Sequence, residues 1–250
     1  MTRWFVGGRG GPAPLRLYCF AHSGGSPAEY VRWGRGLPGV ELYAVQLPGR
    51  GSRIGEPQLT SMRDIVTALV EEAGFNGPYA FFGHSFGSLL AYETACALRA
   101  AGRELPRHLV VSSAPAPQLP RRHTGLHRLD DDALLTAVQE RHGGIPREVF
   151  DHPEILQMAA ENLRADYTVL ETYTWRPRPP LPVPLTVLAG DSEPLSEDGG
   201  RRLAAWGELT TRGPVPVRTF PGGHFYLREQ QGPLVQRTVA AALGTDVTVP

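Results

Sequence analysis

The 250-residue sequence predicts a single α/β domain, with a mostly parallel central sheet, helices on both of its faces and a helical lid inserted over it. Three observations lead there. Six short runs are almost continuously apolar, which is how strands buried on both faces read. Helix-compatible stretches fall between several of these runs, and strands alternating with helices imply parallel pairing. One long stretch has helical patterns and no strand, which marks an insertion.

The strands are expected at LRLYCF (15–20), VELYAVQL (40–47), YAFFG (79–83), HLVVSSA (108–114), VPLTVLAG (183–190) and VPVRTF (215–220). Helices are expected over 60–73, 87–101, 200–210 and 229–243. The core therefore comprises residues 1–118 and 176–250, and the lid 119–175. Within the lid, DDDALLTAVQER opens with acidic residues suited to a helix N-terminus, and PEILQMAAENLRADYTVLETY spaces apolar residues by three and four. The Pro-rich RPRPPLPVP then returns the chain to the sheet. An amphipathic insertion of this kind covers the carboxyl ends of the strands, where parallel sheets hold their ligands. Gly143-Gly144 and the Pro-rich stretch mark its joints.

Composition narrows the partners. The 25 basic residues, all of them arginine, balance 25 acidic ones, leaving no basic footprint for nucleic acid or an acidic membrane. The absence of lysine, with abundant Gly, Pro and Ala, reads as codon bias. The N-terminal MTRWFVGGRGG has no apolar signal-like core, and no stretch reaches the length of a membrane span. Cys19 and Cys96 lie in apolar surroundings as buried thiols, which suits a reducing compartment. A cytoplasmic monomer is expected.

The chemistry centres on FFGHSFGSLLAYE, residues 81–93. Gly83-His84-Ser85-Phe86-Gly87 matches G-x-S-x-G, with an apolar strand before it and a helix after it. A serine at the tip of so sharp a turn needs glycines two residues to either side, because backbone must pass close by. The turn lifts Ser85 out of the sheet, and the helix from about Phe86 aims its N-terminal amides at the hydroxyl. Ser85 is thus a candidate nucleophile. In the fold that carries this motif, an acid and then a histidine follow in chain order. His224, in FPGGHFYL after the last expected strand, is the candidate general base. The acid comes from GDSEPLSED: counting three residues beyond Gly190 gives Glu193, with Asp191 as the alternate. Glu197 and Asp198 read as solvated residues or caps of a helix starting near Gly199. For the oxyanion hole, Phe86 supplies one amide and Ser23, in CFAHSGGS, the other. His22 in the same loop fits loop architecture better than proton transfer.

Together these stretches resemble the type II thioesterases of polyketide and nonribosomal peptide pathways, which are stand-alone α/β-hydrolases related to medium-chain fatty-acyl thioesterases. The resemblance spans nearly the whole chain and rests on CFAHSGGSPAEY, VQLPGRGSR, FFGHSFGSLLAYE, LRADYTVLETY and FPGGHFYL in that order. It implies that Ser85 and His224 are catalytic, that Phe86 and Ser23 line the oxyanion hole, and that the lid shapes an acyl pocket. It also implies a partner: an acyl or peptidyl carrier protein whose phosphopantetheine arm bears a stalled acyl group. No metal or cofactor is required. Two positions depart from the family's pattern. Gly190-Asp191-Ser192-Glu193-Pro194 stands where GD-x-DP is usual, and Phe86 stands where methionine is common. Arg50 in PGRGSR reads as a turn residue ordering its loop, ahead of a contact with carrier protein or phosphate. His84 reads as packing at the elbow, and Tyr92 and Glu93 as parts of the helix that anchors it. Two other functions remain open on this reading: an esterase or acyltransferase for free small molecules, and a non-catalytic carrier-protein partner.

Overall fold

The computed structural model of the chain describes residues 3–8, 15–33, 37, 39–121, 123–193, 200–228 and 232–244, without the side chains of 232, 234 and 235. Seven strands form one sheet: β1 (Phe5–Gly7), β2 (Leu15–Phe20), β3 (Val40–Val45), β4 (Tyr79–His84), β5 (Leu109–Ser112), β6 (Leu185–Gly190) and β7 (Val217–Phe220). Their spatial order is β1-β3-β2-β4-β5-β6-β7. Only β1 runs antiparallel, pairing Phe5 with Val45 and Gly7 with Tyr43. All the other pairs are parallel. The chain leaves β2 toward β3 and then crosses back over β2 to β4, so the carboxyl ends of β2 and β4 flank the point where the winding reverses. Open α/β sheets bind ligands at such a point.

The apolar runs have a direct explanation in the packing. Alternate residues of each central strand enter different cores. Tyr18, Phe20, Tyr79, Phe81, Leu109, Val111, Val187 and Ala189 join one cluster; Leu17, Cys19, Ala80, Phe82, Val110 and Leu188 join the other. Either face of these strands meets a core, so their side chains are mostly apolar, and the buried polar ones, His84, Ser112 and Thr186, are hydrogen-bonded. Cys19 and Cys96 are buried and unpaired, and burial pushes the Cys19 thiol well above its usual range.

Among the described residues eight α-helices surround the sheet: α1 (Ala28–Val31), α2 (Met62–Ala68), α3 (Phe86–Ala100), α4 (Asp131–His142), α5 (Arg147–Asp151), α6 (Pro153–Thr172), α7 (Arg201–Ala204) and α8 (Gly232–Ala242). The expected helix over 60–73 is α2 followed by a π-helical turn at Leu69–Ala73, which ends on left-handed Gly74. The one over 200–210 is only a turn of α7 continued as a 3-10 turn, Ala205–Leu209. The short β1 and α1 had no counterpart in the sequence reading. Glu197 and Asp198 lie outside the described residues.

Among the described residues of 119–175 lie α4, α5 and α6 and no strand. Asp130 caps α4 by accepting a hydrogen bond from the Ala133 amide at 2.8 Å. This segment has its own small core of Leu126, Leu134, Leu135, Val138, Ala160, Leu163 and Tyr167. The last turns of α6 leave that core: Val169 is fully buried in the main cluster. Helix α6 is therefore shared between the insertion and the body. Among the described residues no helix is long and apolar enough to cross a membrane.

Candidate active site

Ser85 occupies the turn between β4 and α3 with φ 54° and ψ −117°, one of two non-glycine residues with positive φ among those described. Such a conformation costs about 1–3 kcal/mol and persists only where neighbours impose it. Three contacts do so here. The Ser85 amide donates to the Ser112 carbonyl at 2.7 Å. A Cβ on Gly83 would lie 2.3 Å from the Gly87 carbonyl oxygen, and one on Gly87 would lie 2.0 Å from that of Phe20. The glycines of the motif are thus places where backbone crosses backbone, and a methyl group fits at neither. Ser88, one turn into α3, completes the clamp: its hydroxyl lies 2.8 Å from the Gly83 carbonyl and 2.9 Å from that of Ser112, and accepts from the Ser112 amide at 3.0 Å. Phe86 is buried at the first position of α3, where the amide of the residue following Ser85 is not engaged in helix pairing.

His224 sits in the turn after β7, and its Nδ1 lies 2.9 Å from Oε1 of Glu193, which is 2 % exposed. Of the two candidate acids, Glu193 is the one that meets the histidine. Asp191 instead ties down the turn that carries it: its Oδ1 accepts from the Gly222 amide at 3.1 Å and from the Ser192 hydroxyl at 2.9 Å. Gly190 explains how the two turns come so close. A Cβ there would stand 2.3 Å from the Gly223 carbonyl oxygen and 2.4 Å from that of Gly222. Backbone bonds from Asp191 to Phe220 (2.8 Å) and from Ser192 to Gly222 (3.0 Å) finish the joint.

Histidines line the floor and roof of the site. The rings of His84 and His224 are 5.1 Å apart, those of His22 and His84 5.9 Å, and that of His142, the last residue of α4, lies 4.4 Å from His224. Burial, reinforced by the neighbouring His224, pushes the His142 pKa down to about 3, so the group that the insertion lays on His224 is a neutral ring. Burial likewise holds His84 and His22 well below the usual imidazole range. His84 Nδ1 meets the Ser112 hydroxyl at 2.9 Å, and that hydroxyl meets Tyr226 at 2.7 Å, forming a buried polar strut beneath the elbow. On His22, Nε2 accepts from Arg228 at 3.1 Å. That occupies the lone pair a general base would use. Among the described residues no three His, Cys, Asp or Glu groups are placed to hold a metal ion.

The loop after β2 faces the elbow. Ser23 is partly buried beside His22, and Gly25 closes the turn by donating to the His22 carbonyl at 2.9 Å. A small cavity opens there, lined by Phe20, His22, Val45, Leu47, Phe86 and Leu90. Arg50 is buried and faces inward, and its guanidinium grips Asp166 of α6 through two bonds of 2.9 and 2.8 Å. Burial works against its charge, yet Asp166 outweighs this and the guanidinium pKa is raised. Sequence reasoning had no means of pairing residues 116 positions apart, although both stand in the stretches that carry the resemblance, PGRG and LRAD. Glu93 joins α3 to the chain after α6, accepting from the Tyr173 hydroxyl at 2.6 Å and pairing with Arg178. A second cleft of about 440 Å³, lined by His108, Thr186, Arg212, Arg218 and Arg237, lies at the amino ends of β5 and β6, the far end of the sheet from Ser85.

Known proteins share this arrangement of chain. The sequence profile of a family described as "Thioesterase domain" matches residues 15–243. Gramicidin S biosynthesis protein GrsT of Aneurinibacillus migulanus is 32 % identical over 243 residues, covering 94 % of this chain and 92 % of its own. Thioesterase PikA5 of Streptomyces venezuelae is 38 % identical over 226 residues, 88 % of this chain and 79 % of its own. The solved type II thioesterase BorB from the borrelidin biosynthetic cluster superposes with a TM-score of 0.84 at 35 % identity, covering 96 % and 97 % of the two chains. A family profile that runs from β2 to beyond α8, together with relatives matched over most of their length, makes the seven-stranded sheet an α/β-hydrolase fold and places this chain in the thioesterase family.

Proposed function

We propose that the protein is an editing thioesterase that removes acyl groups from the phosphopantetheine arms of acyl or peptidyl carrier proteins in polyketide or nonribosomal peptide synthesis. The observation that carries this reading is the hydrogen-bonded pair Glu193–His224, held beside a strained serine elbow beneath the helical insertion. It is supported by relatives whose names place them in gramicidin S and borrelidin biosynthesis.

In this mechanism Nδ1–H of His224 donates to Glu193, which leaves Nε2 as the lone pair for the Ser85 proton. The Ser85 oxygen attacks the thioester carbon, and the oxyanion is received by the amides of Phe86 and Ser23. The C–S bond breaks, and the imidazolium returns its proton to the departing sulfur. Water then enters, gives a proton to His224 and attacks the acyl-enzyme, and Ser85 leaves with that proton. The products are a free acid and a carrier thiol. Nothing in this sequence of proton transfers calls for a metal or cofactor. A thiolate leaves readily, so the barrier lies largely in forming the tetrahedral species, where the two amides act. Residues 119–175 serve as the lid, with His142 screening the base from bulk water. The protein works as a cytoplasmic monomer.

Intact-mass measurement on an acetyl-loaded carrier protein tests the proposal. Loss of the acyl mass with wild type and its retention with Ser85→Ala are expected. Hydrolysis by Ser85→Ala at the wild-type rate would overturn it, and cleavage of simple esters with carrier-bound acyl left intact would make the protein an esterase.

A further inference from the structure

We infer that Asp166 is a positioning residue for the oxyanion loop, so that helix α6 is a working part of the site as well as a component of its cover. The inference rests on the reading of Ser85 and the Ser23 amide given above. Asp166 has no exposed surface, and one of its carboxylate oxygens, Oδ2, accepts at 2.8 Å from the amide of Gly24. That bond fixes the peptide plane next to Ser23 and removes Gly24 as an alternative donor, leaving the Ser23 amide to donate to the oxyanion. Gly24 adopts φ +71°, and a Cβ there would lie 2.9 Å from Leu163 Cδ2, so the loop is seated on α6 by an apolar contact as well as a polar one. Arg50 supplies the counter-charge from the loop after β3, and Gln58 adds a 2.9 Å bond from the same loop to Asn162 of α6. Because Val169 anchors α6 in the main core, the helix cannot swing away with α4 and α5 without unseating the loop.

Single removal of Asp166 would strand a buried guanidinium and destabilise the fold, so paired variants separate positioning from stability. Arg50→Leu with Asp166→Leu is a similar-sized apolar replacement that removes the acceptor for Gly24. Arg50→Gln with Asp166→Asn removes both charges and keeps that acceptor. Losing one oxyanion donor outright costs on the order of 10²–10³ in kcat, so a displaced one is expected to lower kcat on hexanoyl-N-acetylcysteamine by at least about tenfold in the leucine pair, with KM within about twofold. The Gln/Asn pair is expected to recover most of kcat. Leu163→Ala, which leaves the ion pair intact and removes the apolar half of the seat, is expected to lower kcat without raising KM, and it decides the matter should the leucine pair not fold. Wild-type kcat in the folded leucine pair, or in Leu163→Ala when that pair does not fold, would overturn the inference. Ser85→Ala assayed in parallel keeps the two readings apart: an active Ser85→Ala removes the site itself, whereas an inactive one beside a fully active leucine pair removes only the role of Asp166.

Discussion

Glu193, the proposed acid, is the carboxylate that meets His224, and the close approach of the two turns at Gly190 brings them together. The carboxylate is almost fully buried and faces Nδ1 of His224, while Asp191, two residues earlier, uses one oxygen, Oδ1, to accept from both Gly222 and Ser192. The two acids therefore predict different phenotypes. Glu193→Gln should fold normally and lose roughly 10²- to 10⁴-fold in kcat, because an amide no longer stabilises the imidazolium or enforces its tautomer. Asp191→Asn keeps the acceptor for Gly222 and should stay within about threefold of wild type, since one neutral hydrogen bond contributes only about 1 kcal/mol. Steady-state kinetics on the same thioester would check both, and equal losses in the two variants would contradict the division of roles. Counting from Gly190 nominated Glu193 and left Asp191 open, because a sequence shows how far a residue stands from a glycine and not which way the turn faces it; in the structure it is Glu193 that meets His224.

Among elements, helix α3 and strand β4 are joined at the elbow by more than the covalent chain. Ser88 reaches back to both β4 and β5, and replacing it by alanine leaves the Ser112 amide without that acceptor in a dry interior. Urea unfolding of Ser88→Ala should show a loss of roughly 2 kcal/mol, whereas an unchanged midpoint would mean that the clamp is redundant. Elements buried on both faces were the most legible: β2, β3, β5 and β6 fall within the apolar runs and β4 passes its run only at His84, whereas β7 falls within its run although three of its four residues are exposed. Strand β1 escaped notice because Phe-Val-Gly is too short to show a period, and its strand character comes from β3 beside it. The contact of the loop after β2 with α6 escaped for another reason. Asp166 reads locally as one polar position on an amphipathic helix, and only the tertiary fold makes it a partner of Arg50 and Gly24.

For the whole molecule, buried histidines set the response to acid. Burial lowers His108 to about 4 and His142 to about 3, and holds His22 and His84 well below their usual range. An unfolded chain titrates these groups near 6.5, so between that pH and their folded values the unfolded state binds more protons and stability falls as pH falls. His108 alone should cost about 2 kcal/mol between pH 7 and pH 5. Its imidazole is bonded to Thr186 at the far end of the sheet from Ser85, so His108→Gln should flatten that slope in urea titrations without altering kcat. A slope that is unchanged in the variant would show that His108 is not buried neutral. The Gly190 joint has a further consequence. The proposed acid and base, Glu193 and His224, follow the ends of β6 and β7, the proposed nucleophile Ser85 follows β4, and β5 lies between β4 and β6. Activity is then a gauge of strand alignment: warming that loosens the outer strands should silence the enzyme while most of its secondary structure still stands.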